Sequence, residues 1–134
     1  MDAAQYYHEL QNEYSFLMNT YKQSNGETIT KRQIDSNIKK AKETFLERFI
    51  DNHGYHYCER DLITSKRLDC SHIISVNKAQ NSGRSELAWD LNNLELLSRD
   101  AHNQIETWSN EKRENWYHSK KEGMSFENFL FWNH

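Results

Sequence analysis

Proline is absent from the 134-residue chain, glycine occurs four times, and Val76 is the sole valine. Such a composition disfavours a large sheet and leaves long helices uninterrupted. Two cysteines, Cys58 and Cys70, are too few for a disulfide framework or, by themselves, for a four-cysteine zinc site, so reduced thiols are expected. No run of about 18 apolar residues is present. The first residues lack the charged, apolar and small-residue order of a secretory leader. A soluble, cytoplasmic protein with no membrane partner is therefore expected. A formal net charge of −3 gives no global attraction to a polyanion, so any nucleic-acid contact has to come from a local basic patch.

What is present is ring-rich: aromatic residues make up 13% of the chain against 36% hydrophobic residues overall, which implies a small core built on rings. The length suits a single domain over residues 1–134. A local basic run exists between positions 60 and 84, where Arg60, Lys66, Arg67, Lys78 and Arg84 face only Asp61 and Asp69. Residues 1 to 50 carry seven basic and seven acidic side chains, a balance better suited to a homodimer or protein partner than to a DNA groove.

Along the chain, Tyr6, Leu10, Tyr14, Leu17, Met18 and Tyr21 recur at helical steps and predict a helix over residues 4 to 22. Thr30 and Gln33 have the form of a capping box, with Ile34, Ile38, Ala41, Phe45 and Phe49 following at helical spacing toward Asp51 and a terminating Gly54. Residues 1–53 thus form an expected N-terminal helical pair. Tyr55, Tyr57 and the stretch 67 to 74 suggest a short hairpin, followed by a long loop over 75 to 91. Leu94, Leu96 and Leu97 suggest a brief strand. Ser98 stands as the N-cap of a helix through His102, Ile105, Trp108 and Trp116 to Gly123. A short last helix, 126 to 132, is expected to be capped by Ser125.

Of seven histidines, His72 and His102 occupy places that suggest a reaction site: one after a strand-like segment, the other one turn into a helix, with Asn93 between them. The segments LDCSHIIS and DLNNLELLSRDAHNQIE carry this pattern. Over about residues 55 to 110 the sequence resembles the HNH endonuclease family, whose core is a ββα-metal fold. In that family a His-Ile pair ends the first strand, an Asn-Leu-x-x-Leu segment makes the second, and a His follows the Asn at the spacing seen here.

The resemblance implies a predominantly helical α+β protein with a ββα-metal core over residues 55–122, N-terminal helices and a C-terminal helical extension at 123–134. It implies an enzyme of a bacterium or phage that hydrolyses DNA phosphodiester bonds to 5′-phosphate and 3′-hydroxyl ends. Histidine is the side chain whose unperturbed pKa suits proton removal from water near neutrality, and His72 takes the role of general base. His102 is the leading metal ligand, and Glu106, one turn later on the same helix face, is placed to share the ion. Mg²⁺ heads the candidate ions, before Mn²⁺, Ni²⁺ and Zn²⁺. The resemblance gives Asn93 either of two jobs, orienting the base through the loop backbone or binding the ion. Lys66, Arg67, Lys78 and Arg84 are the candidate DNA contacts.

The chain also departs from the family. Many relatives carry Asp or His as a ligand immediately before the base, where Ser71 stands. Asp69 is a substitute, although on a regular strand it points to the opposite face from His72 and would serve only at a bulge. The proline that often follows the His-Ile pair is replaced by Ser75. Where many relatives hold a structural zinc on two CxxC pairs, this chain has Cys58 with Asp61 and Ser98 with Ala101, so no structural zinc is expected. A zinc site from Cys58, Cys70, His56 and His72 matches no common finger spacing. Two other readings stand beside the enzyme: a non-catalytic nucleic-acid-binding ββα module, and a helical interaction protein.

Overall fold

The computed structural model describes residues 2–6, 19–64 and 67–132. The expected helix over 4 to 22 lies mostly outside these residues, and its last part is corrected. Thr20–Lys22 is a strand, β1, paired antiparallel with β2, Thr28–Thr30, so that Tyr21 faces Ile29. The turn explains the reversal. Gln23 N–H bonds the Glu27 carbonyl at 2.9 Å, and Gly26 takes φ of +86°, the left-handed residue that a three-residue hairpin loop requires.

Helix α1, Lys31–His53, starts and stops where its local chemistry dictates. Thr30 Oγ1 accepts from Gln33 N–H at 3.2 Å while Gln33 Oε1 accepts from Thr30 N–H at 3.0 Å. Gly54, at φ +84°, closes the other end. Ile34 is buried with Ile29 and Ala88, and Ile38 and Trp89 pack against this cluster, fixing α1 to the chain between residues 85 and 89.

Strand β3, Leu68–His72, pairs antiparallel with β4, Leu94–Ser98, in a regular ladder that sets Asp69 opposite Leu97 and His72 opposite Leu94. The expected hairpin between the 55–57 region and 67–74 does not form. Instead the turn around Cys58 docks on the far edge of β4, where Glu59 N–H donates to the Leu96 carbonyl at 2.9 Å and Glu59 Oε2 accepts from Leu96 N–H at 2.6 Å. All five residues of β4 are buried as a result.

The expected loop over 75 to 91 is largely helical. Ser75 Oγ accepts from Lys78 N–H at 3.1 Å and caps α2, Val76–Asn81, after which 3₁₀ turns cover Ser85–Trp89 and Leu91–Asn93. Ser98 caps α3, Arg99–Glu106, as the sequence suggests. That helix does not run on to Gly123. Thr107 Oγ1 donates to the Gln104 carbonyl at 2.6 Å and Ser109 Oγ accepts from Lys112 N–H at 3.1 Å, so side-chain competition ends one helix and starts α4, Asn110–Lys121. Helix α5, Phe126–Trp132, follows Ser125, whose Oγ accepts from Asn128 N–H.

The described chain is therefore a predominantly helical α+β arrangement with two small antiparallel sheets. Among the described residues no helix is long and apolar enough to cross a membrane. One apolar cluster gathers Ile73, Ile74, Trp116, Tyr117 and Phe129, a second gathers Cys58, Leu97, Ala101 and Ile105, and Trp108 packs against both.

Beside them Arg60 and Glu95 form an ion pair at 2.8 Å with side chains only 4% and 1% exposed. The Arg60 guanidinium lies 4.3 Å from the Phe126 ring centroid and 4.9 Å from that of Trp108. Removing one member of such a pair leaves the other charge desolvated and alone. Glu95→Ala is expected to lower stability by about 3–5 kcal/mol in urea unfolding, whereas the double change Arg60→Met, Glu95→Leu should recover most of that loss.

Candidate active site

A cleft of about 200 Å³ brings together Lys42 of α1, Ser71 and His72 of β3, His102 and Glu106 of α3, and Arg113 of α4. Both histidines singled out in the sequence are on its wall. Two further clefts flank α1, one of about 210 Å³ beside Phe45 and His53 and one of about 320 Å³ beside Lys40 and Trp89. Neither includes His72 or His102.

His72 sits at the end of β3, where its Nε2 lies 2.7 Å from the Ala88 carbonyl oxygen. A carbonyl only accepts, so Nε2 carries the hydrogen and donates it, leaving the lone pair on Nδ1. Among the described residues Nδ1 has no hydrogen-bond partner. Burial pushes the His72 pKa down to about 4, with the charges of Lys42 and Arg113 acting in the same direction, and the Ala88 bond only partly opposes them. The ring is a neutral base at pH 7.

Asn93 is fully buried and its side chain is engaged on every side. Oδ1 accepts from Ile74 N–H at 2.8 Å, and Nδ2 donates to the carbonyls of Ile74 at 2.9 Å and Leu87 at 2.8 Å. Its own carbonyl accepts from Ile73 N–H at 2.8 Å. Leu87 precedes Ala88, so the amide fixes the carbonyl on which His72 leans. With its side-chain oxygen and nitrogen both engaged by backbone, Asn93 fits the orienting job rather than the ion-binding one.

His102 Nδ1 lies 2.9 Å from Asp69 Oδ2, and Nε2 lies 3.3 Å from Glu106 Oε1. The strand has no bulge, and Asp69 reaches His102 from outside the cleft rather than lining it beside His72. Burial would raise the Asp69 carboxyl, but the His102 hydrogen bond and the charges of Arg99, His102 and Arg67 outweigh it and hold the pKa below the ordinary carboxylate value. Asp69 is thus a partner that orients His102, as carboxylates behind metal-bound imidazoles commonly are. Among the described residues no group of three or more His, Cys, Asp and Glu is arranged to hold a metal ion. His102 Nε2 and the Glu106 carboxylate are two donors on one helix face. One imidazole nitrogen and one carboxylate do not make a closed protein cage, and an ion held there would take its remaining ligands from water or phosphate oxygens.

The basic run is not one patch. Arg60 is buried against Glu95, Arg67 lies 3.4 Å from Asp69, and Arg84 is paired with Glu114 and bonds Ser82. Arg84 is therefore committed within the protein rather than free as a DNA clamp. Lys78 is half-buried on α2, and Lys66 lies outside the described residues. Two cations of the cleft, Lys42 and Arg113, were not among the candidates from sequence. Lys42 borders the apolar stripe of α1 one turn after Ile38, a detectable signal. Arg113 owes its place to bonds from Nε to the Ile73 carbonyl at 2.6 Å and from Nη2 to the His72 carbonyl at 3.0 Å, which no local pattern encodes.

Other sequence positions resolve more simply. His56 Nε2 bonds the Leu46 carbonyl at 3.1 Å and His53 Nδ1 bonds Tyr57 at 3.2 Å, the roles of satisfied polar residues. Cys58 and Ala101 share one apolar cluster, while Asp61 Oδ2 accepts from Ser98 Oγ at 2.5 Å, so these four positions lie together. No family model, curated protein or solved structure matches the chain.

Two expectations follow. Because the folded pKa of His72 is depressed, the native state is favoured above the ordinary value of 6.5 and loses stability as pH falls toward about 4. Unfolding midpoints measured across that window should drop more in the wild type than in His72→Gln, by on the order of 2 kcal/mol. Asn93→Ala leaves three backbone groups without partners and should cost about 3 kcal/mol in chemical denaturation.

Proposed function

We propose that the protein is a metal-dependent endonuclease of the HNH type that hydrolyses DNA phosphodiester bonds on a ββα-metal core. The observation that carries this reading is the shared cleft: a neutral His72 with its Nδ1 lone pair free, and a His102 whose ring is fixed by Asp69. In the reaction His72 Nδ1 takes a proton from water as the water oxygen bonds to phosphorus and the bond to the 3′ oxygen breaks. The bond to Ala88 holds the imidazole in the tautomer this step needs, and Asn93 holds Ala88 in place. Asp69 keeps His102 Nε2 turned toward Glu106. A divalent cation on His102 and Glu106 would neutralise charge on the phosphate and the departing oxygen.

A second reading, a nucleic-acid-binding module without a reactive ion, is favoured by Ser71 standing where an acidic ligand is common and by the small donor set. Metal content and turnover separate the two. Supercoiled plasmid incubated with Mg²⁺, Mn²⁺, Ni²⁺ or Zn²⁺ should be nicked, and a chelator should abolish nicking. His72→Ala should slow cleavage by about 10²- to 10⁴-fold with metal binding retained. Asp69→Asn should weaken metal affinity by about 10- to 100-fold in titration calorimetry. Absence of metal binding and nicking in the wild type would leave the binding module.

A further inference from the structure

Lys42 has no carboxylate within reach along its own helix: Ile38, Lys39, Phe45 and Leu46 occupy the positions one turn away. Lys31 of the same helix, by contrast, pairs with Asp35 at 3.2 Å. Among the described residues Lys42 makes no ion pair or hydrogen bond, yet it is half-buried and lines the cleft of His72 and His102.

Arg113 approaches the same space from the other end of the chain. Its side chain is 9% exposed, and its Nε and Nη2 are tied to the carbonyls of Ile73 and His72. Those two bonds fix the guanidinium plane and leave Nη1 with Glu106 at 3.9 Å, beyond hydrogen-bond range. Glu106 itself is 58% exposed at the rim. The cleft therefore holds two cations against one peripheral carboxylate, and neither cation has the close acidic partner given to Arg60 and Arg84. At about 200 Å³ it is too small for a whole nucleotide, but it can admit a phosphate group whose nucleosides stay outside.

We infer that Lys42 and Arg113 form a phosphoryl-binding subsite that takes a phosphate group of a nucleic-acid strand without needing a metal ion. The assignment to a nucleic acid rests on the nuclease reading. The binding itself does not. A guanidinium fixed at Nε and Nη2 with Nη1 unbonded, and an unpaired ammonium lining the same cleft, offer charged N–H donors to the oxygens of one phosphate.

The test is binding with EDTA present, using a short single-stranded oligonucleotide in one arm and inorganic phosphate in the other, followed by backbone amide shifts and titration. The oligonucleotide should shift the amides of His72, Ile73 and Arg113, and inorganic phosphate should compete for the same signals. Lys42→Ala should weaken oligonucleotide binding by about tenfold, the effect of one charge-assisted hydrogen bond, and Lys42→Arg should restore it. Arg113→Lys, which keeps the charge but loses both the backbone anchors and the Nη1 donor they position, should weaken it too. Lys40→Ala, a change beside the other cleft of α1, should leave it unaltered. Urea midpoints confirm that each variant is folded.

Equal weakening by Lys40→Ala and Lys42→Ala would reduce the effect to general charge and overturn the subsite, as would an unchanged affinity in Lys42→Ala. Amide shifts with inorganic phosphate but none with the oligonucleotide would overturn the nucleic-acid assignment. Lys42-dependent oligonucleotide binding with no cleavage under any metal would support the subsite and end the nuclease reading alone.

Discussion

The buried amide of Asn93 is the constraint on which the cleft depends. An amide removed from water with unmet hydrogen bonds is costly, so its environment has to supply partners with good geometry. Here the partners are the backbone of Ile74, just past β3, and of Leu87, in the 3₁₀ turn. One side chain thereby ties the end of one strand, the start of the next and the segment between them. The carbonyl of Ala88 and the tautomer of His72 follow from that tie.

Charge in the molecule is arranged around a second constraint, the seclusion of Arg60 and Glu95. Arg60 Nη1 finds no hydrogen-bond acceptor. The rings of Phe126 and Trp108 face the guanidinium instead, and their π faces supply the compensating electrostatics. This explains why a sequence rich in arginine between 60 and 84 does not make a basic surface. Arg60 and Arg84 are spent on carboxylates inside the fold, while Arg67 stays exposed beside Asp69. The cations of the cleft come instead from α1 and α4, elements that flank the β3–β4 pair in sequence.

Legibility from sequence followed the range of the interaction. Thr30 with Gln33, Gly54, Ser98 and Ser125 act on neighbours three or four residues away, and their elements begin or end as read. His72 and His102, singled out by their order in the chain, line one cleft, while Asn93 is buried behind it. Thr20–Lys22 was not, because the helical period leading to Tyr21 concealed a hairpin that Asn25 and Gly26 signal. The strand partner of β3 was misassigned because β-pairing is non-local: β4 is a fully buried strand with three leucines, which lies more than twenty residues further along the chain. Asp69, on an unbulged strand, does not line the cleft beside His72 but bonds His102 from outside it, a contact the sequence did not signal. Arg113 had no local signature at all.

The cleft draws its walls from α1, β3, α3 and α4, so the last of its charged groups lies close to the end of the described chain. During vectorial synthesis the β3–β4 pair and His72 emerge well before Arg113 leaves the ribosome. A nascent chain paused after α3 would possess both imidazoles but no finished pocket. Closure of the cleft is consequently a late step in chain order, because it waits on the docking of α4 against the end of β3.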